Sequence, residues 1–298
     1  MTRPRWWLHA VLGAALLLNS CALLSQPDGP RVQNPALDEL SGLAISHADP
    51  TLLWGHNDSG DGPNLFRIGV NGEDYGRIAV ADARAVDWED IAAFDWQGQP
   101  ALLVADTGDN TARRETVTLY VISDPGRAGE PKLLWKLDFR YPDGARDCEA
   151  VAVDPREHSV ILISKRDRPQ HLYRLRLPEQ PPIGGPVVAE ALGTLTTLPT
   201  PGLGDLLENP LYSQFSGPTA IDIAASGAFA VITTYKDAFL YRRAPGQDWP
   251  QAFAAHPQVI TLPPLRQTEA GAISADESAL YVSGEGQAPP LLRIPLPR

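Results

Sequence analysis

The chain has 298 residues, with 25 Lys and Arg against 36 Asp and Glu, and a formal net charge of −11. So acidic a chain gains nothing from counterion release on phosphate backbones, which excludes nucleic-acid binding and leaves divalent cations and cationic ligands open. With only 2 cysteines it is no disulfide-stapled scaffold, and its stability has to come from a packed core.

The first feature in chain order is Arg3 and Arg5 followed by an apolar run from Trp6 to Leu18, suited to a signal-peptide core and too short to span a bilayer comfortably. Residues 1–20 read as a targeting segment. Leu18-Asn19-Ser20-Cys21 resembles the lipobox of bacterial lipoproteins, although Asn19 is a less usual residue in it. The resemblance implies cleavage before Cys21 and a membrane anchor through lipid on its thiol; the other reading is a plain secretory signal with a chance cysteine. Ala22 stands where an aspartate would signal inner-membrane retention, so the expected place is the bacterial cell envelope, at the outer membrane facing the periplasm. Residues 21–30, with Ser25, Pro27, Gly29 and Pro30, read as the lipidated tether. With Cys21 lipidated, Cys148 has no second thiol for an intrachain disulfide.

Residues 31–298 read as a single all-β domain built from a repeated unit. Its opening strand recurs as Glu39-Leu40-Ser41-Gly42-Leu43-Ala44, Glu89-Asp90-Ile91-Ala92, Glu149-Ala150-Val151-Ala152-Val153, Thr219-Ala220-Ile221-Asp222-Ile223 and Glu269-Ala270-Gly271-Ala272-Ile273. Third strands start at Leu65-Phe66-Arg67, Leu119-Tyr120-Val121, Leu172-Tyr173-Arg174, Leu240-Tyr241-Arg242 and Leu291-Leu292-Arg293. Short strands at this period, with no helical pattern between them, predict a β-propeller, because one small sheet cannot bury its faces alone. The expectation is five blades, with six as the alternative, each a four-stranded antiparallel sheet.

Unit two offers strands at 91–94, 101–105, 117–122 and 133–139, and unit three at 150–153, 160–164, 171–177 and 187–198. Unit five offers only 270–273, 279–283 and 291–294, so residues 31–37 are expected to supply the missing strand and close the ring. Residues 199–216 read as a long loop over one face.

In a propeller the first strand of each blade lines the central channel, so Glu39, Glu89, Glu149 and Glu269, with Thr219 in the fifth place, are expected to converge. Carboxylates so placed need protons, basic side chains or a metal. Lys165, Arg166 and Lys236 are candidate channel cations. The corresponding loops of units one and two carry Asn57, Asp58, Asp61, Asp106, Asp109 and Asn110 instead, an oxygen-only set that suits calcium. The candidate metal ligands are therefore Glu39, Asp58, Glu89, Asp106, Asp109, Asn110, Glu149 and Glu269.

Asn57 to Gly62 resembles half of an EF-hand loop, but Ile68 stands where the bidentate glutamate belongs. Asp58-Ser59-Gly60 and Asp106-Thr107-Gly108 look like the loops of an aspartic protease, yet they fall at one repeat position, and repetition explains them. His56, His171 and Cys148 are read as structural residues rather than as a base or a nucleophile.

Unit three, Glu149-Ala150-Val151-Ala152-Val153-Asp154 with Val160-Ile161-Leu162-Ile163-Ser164-Lys165, resembles the repeat of bacterial β-propeller phytases and the esterase-like phytase group. Glu39-Leu40-Ser41-Gly42-Leu43 resembles the opening of the gluconolactonase and paraoxonase group. The resemblance implies a channel calcium that polarises a phosphate or lactone oxygen and activates water, with Glu39, Glu89, Glu149, Asp58 and Asp106 as the residues carried over. The substrate would be a small-molecule ester, lactone or phosphoester. The other reading is a non-catalytic envelope propeller, monomeric like the first, that binds a protein or glycan through Trp54, Trp88, Trp96, Tyr212, Phe215 and Trp249.

Overall fold

The computed structural model describes residues 27–200, 202–204 and 217–298. The expected signal peptide and Cys21, and most of the loop bearing Tyr212 and Phe215, lie outside the described residues. Among those described, five sheets stand around one axis. Blade one is β1 (Leu40–Ile45), β2 (Leu52–Asn57), β3 (Asn64–Gly69) and β4 (Asp74–Ala79). Blade two is β5 (Trp88–Trp96), β6 (Gln99–Asp106), β7 (Val117–Ser123) and β8 (Leu133–Arg140), to which β12 (Val187–Val188) adds a parallel fifth strand. Blade three is β9 (Cys148–Asp154), β10 (Ser159–Ser164), β11 (Gln170–Arg176) and β13 (Glu190–Leu195). Blade four is β14 (Pro218–Ile223), β15 (Phe229–Thr234), β16 (Asp237–Arg242) and β17 (Gln258–Thr261). Blade five is β18 (Thr268–Ile273), β19 (Ala279–Gly284) and β20 (Leu292–Pro295).

The innermost strands β1, β5, β9, β14 and β18 touch in that order and β18 returns to β1, so the ring is closed and has five blades, not six. Its core is five apolar seams, one per pair of neighbours. Alternation along each strand divides its side chains between two seams. In β10, Val160 and Leu162 face blade two while Ile161 and Ile163 face blade four, which is why this strand reads as an unbroken apolar run. Each such side chain taken out of water contributes about 1.5–3 kcal/mol.

The N-terminal segment closes the last seam. Val32 and Leu37 are buried between blades five and one, and Arg31 makes a single antiparallel bridge to Pro290 beside β20. Two backbone bonds flank the bridge, from the Leu291 N–H to the Pro30 carbonyl and from the Val32 N–H to the Pro289 carbonyl, but residues 32–37 form no strand, so blade five stays three-stranded rather than gaining the expected fourth. The strand expected over 187–198 divides at Ala189 into β12, which joins blade two, and β13, which stays in blade three. A short helix, α1 (Trp249–Phe253), interrupts the expected all-strand pattern of blade four; Asp248 and Gln251 form a capping box at its start.

Candidate metal centre at the channel mouth

All five inner strands carry a β-bulge at one position, and the bulged residues are Ser41, Glu89, Glu149, Thr219 and Glu269. A bulge breaks the pleat and re-aims one side chain. Each of the five is at least nine-tenths buried at the head of the channel. Blade one therefore contributes Ser41 to the ring, and the sequence alignment that placed Glu39 there is two residues out. Glu39 is exposed on the rim and corresponds to Asp87, Asp147, Gly217 and Gln267 of the other blades.

A second tier follows the ends of β2, β6, β10, β15 and β19, where Asp58, Thr107, Lys165, Tyr235 and Glu285 stand. The two tiers enclose a cavity of about 340 Å³. Its charge divides into two sides. On one, the Lys165 ammonium is paired with Glu149 and lies 4.0 Å from Glu269, and it sits 5.1 Å from the Tyr235 ring. Burial raises the Glu149 carboxyl to about 8, against the pull of Lys165. Burial also opposes charge on Lys165, but Glu269 and Glu149 outweigh it and hold the ammonium above its ordinary value.

On the other side stand Asp58, Asp87 and Glu89, each with one carboxylate oxygen within 4.8 Å of the others'. Asp87 Oδ1 is buried without a hydrogen-bond partner. Glu89 is 4 % exposed, and among the described residues its carboxylate makes no hydrogen bond or ion pair. Burial, then Glu149 and Asp58, push Glu89 well above the usual carboxylate range. Burial, then Asp58 and Asp147, push Asp87 to about 6. Gly108 keeps this corner open, because a Cβ there would overlap the carboxylates of Glu89 and Asp87. Glu89 also forms a second close group with Asp147 and Glu149. Oxygen donors alone, one buried without a partner, in a corner that only glycine permits, fit a hard divalent cation.

The other acidic loop residues are held elsewhere. Asp106 takes Arg114 at 2.7 Å and the amides of Val86 and Asp87, and Asp109 accepts from the Arg114 amide at 2.5 Å. Asn110 lines the cavity but accepts from Arg166, which also grips Asp147 at 2.5 Å. Lys236 lies 3.7 Å from Asp237 and does not line the cavity. Asn57 donates to Asp61 and to the Ala36 carbonyl, and Asp61 accepts from the Gly62 amide, so the half EF-hand is a turn tied to the N-terminal segment.

His56 is fully buried with Nδ1 2.9 Å from the Asn57 carbonyl, and burial depresses its pKa, so the ring is neutral. Gly42 exists for it, since a Cβ there would overlap His56 Nε2. His171 lies 3.0 Å from Asp143, and burial raises the Cys148 thiol far above its ordinary value, leaving it inert. Trp54, Trp88 and Trp249 are buried in the seams; their indoles donate to Asp124, Arg84 and Asp154. Trp96 is half-buried and donates to Pro178.

The sequence reading missed Asp87, Asp147 and the floor of the channel. Asp87 and Asp147 were signalled by the spacing Asp-x-Glu, repeated at 87–89 and 147–149. The floor is Asp90, which faces the axis and accepts from the amides of Ile91, Val151 and Ile221 at 2.9, 2.8 and 3.2 Å.

Fold and mouth together define a five-bladed β-propeller with an acidic channel head. No protein-family model matches the sequence, and no curated protein matches it. Among solved structures the chain is similar to one in the crystal structure of the Nidogen/Laminin complex, at 12 % identity and a TM-score of 0.45 over 83 % of this chain and 72 % of that one. It is also similar to the WD40 repeats of RRP9, at 12 % identity and a TM-score of 0.41 over 87 % and 67 %. The blade count rests on the five sheets themselves.

Proposed function

We propose that this is a lipid-anchored propeller of the bacterial cell envelope that holds calcium at Asp58, Asp87 and Glu89 and hydrolyses a phosphoester, ester or lactone at that mouth. The observation that carries the reading is Glu89, a buried carboxylate that makes no ion pair among the described residues and stands beside two others. Ion pairing accounts for Glu149 and Glu269, which share Lys165, whereas among the described residues no Lys or Arg is paired with Asp58, Asp87 or Glu89. A bound calcium would polarise a substrate oxygen and acidify water. The half-exposed Arg166 guanidinium would meet an anionic substrate group at the rim. Glu285, raised to about 7 by burial and by Glu269, holds a proton near neutral pH and would supply it to the leaving oxygen. The anchor would be lipid on Cys21, with the tether leaving from the seam where Arg31 meets Pro290.

Calorimetry with calcium, and melting before and after chelation, test the site on the full chain. Saturable binding lost in Glu89→Gln is expected, with calcium-dependent hydrolysis of p-nitrophenyl phosphate, p-nitrophenyl acetate or a γ-lactone lost in the same variant. No calcium heat would sink the metal reading. Calcium binding without turnover of any of the three would leave a cation-holding propeller that binds a protein or glycan, with contacts other than the buried tryptophans.

A further inference from the structure

The channel has a second mouth at the opposite ends of the inner strands. There the last residues of β1, β5, β9, β14 and β18 and the turns after them enclose a cavity of about 540 Å³, larger than the acidic one. Ile45, Phe94, Ile223 and Ile273 give it apolar walls, one from each of four blades. A volume of this size, with apolar walls and polar groups set between them, is what small-molecule pockets have.

Its polar groups are unequal. His47 and Asp95 pair with each other at 3.0 Å on the rim. Asp154 is held by Arg243 at 2.6 Å and by the Trp249 indole at 2.8 Å, so it has nothing left to offer. Asp222, from β14, lines the cavity and accepts from the Ile273 amide at 2.7 Å, and among the described residues no Lys or Arg is paired with it. Burial raises its carboxyl to about 7, against the Ile273 and Ile223 amides and the pull of His47.

We propose that this second mouth binds a small apolar amine, with its ammonium on Asp222 and its hydrocarbon body against Ile45, Phe94, Ile223 and Ile273. An anionic ligand would be repelled by Asp222, and a neutral hydrocarbon would seal that carboxyl from water with no counter-charge. A metal ion is disfavoured because Asp95 and Asp154 are already paired, and Asp222 with apolar walls cannot replace its water shell. The inference is independent of the calcium reading.

Hexylamine and hexanol, titrated calorimetrically into the full chain, are the probes. Hexylamine should bind saturably, and Asp222→Asn, which keeps the shape and the acceptor to Ile273, should weaken it by about tenfold or more. Ala225 is exposed on the cavity rim, so Ala225→Phe should block hexylamine at an unchanged melting temperature. Calcium binding at the other mouth should be the same in both variants. No saturable hexylamine heat, equal affinity for hexanol, or full affinity in Asp222→Asn overturns the proposal.

Discussion

Gly108 stands so close to Glu89 that a Cβ at 108 would overlap Oε1 of the glutamate. Its backbone needs no left-handed conformation, so the glycine is there for space alone. Gly108→Ala should push Glu89 and Asp87 apart and weaken calcium binding by an order of magnitude or more. The fold should lose about 1–3 kcal/mol, the usual cost of overpacking. Calorimetry and a denaturant titration on one preparation separate the two effects. Unchanged calcium affinity would mean that the carboxylates do not act as one site.

Lys165 is the counter-charge of the opposite side. Lys165→Met would leave Glu149 and Glu269 buried beside each other without a cation, and losing one partner of a buried pair costs about 3–5 kcal/mol. The loss should shrink in a double variant that also carries Glu149→Gln. Additive losses measured by urea unfolding would show that the pair is not coupled.

Much of this was legible in the residues, and the gaps have physical causes. Two-sided burial wrote the strands as apolar runs such as Val160 to Ile163, so the blades could be read off. The repeat puts Glu89, Glu149 and Glu269 in one ring, and they share the bulge position. Glu39 was misplaced because the carboxylate was aligned where the apolar phase should have been: Leu40 corresponds to Trp88 and Cys148, and the ring residue after it is Ser41. Asp106, Asp109 and Asn110 looked equivalent to Asp58, since composition cannot tell which loop oxygens an arginine will take. Arg114 and Arg166 take theirs through loop geometry that no strand period records. The helix α1 did announce itself in Asp248-Trp249-Pro250-Gln251, a capping box with Pro at the second helical position.

Asp222 makes stability depend on pH. Its carboxyl titrates near 3.9 when unfolded and at about 7 in the fold, so the folded state binds the extra proton. That contribution is fully present below about pH 4 and is lost as pH rises through 7. Asp222→Asn should flatten the slope between pH 5 and 8 by about 1–3 kcal/mol, less than the full shift because the cavity admits water. Carboxyls held low, such as Asp154 beside Arg243, act only at more acid pH and do not blur the comparison. Parallel slopes for both proteins in chemical denaturation would refute the assignment.

Asp90 does for the channel what a neighbouring strand does elsewhere in a sheet. Inner strands have no strand on their axial side, so their inward amides need an acceptor, and one fully buried carboxyl serves those of Ile91, Val151 and Ile221 on blades two, three and four. Each buried amide left without a partner costs about 1–3 kcal/mol. Asp90→Ala should therefore cost about 3 kcal/mol or more, and Asp90→Asn less, because its one carbonyl oxygen still accepts. Hydrogen exchange gives the sharper readout: the amides of Val151 and Ile221 should lose protection in Asp90→Ala, while strands on the outer side of the blades keep theirs until global unfolding. Uniform loss across all five blades would mean that Asp90 supports overall stability without pinning these three blades at the axis.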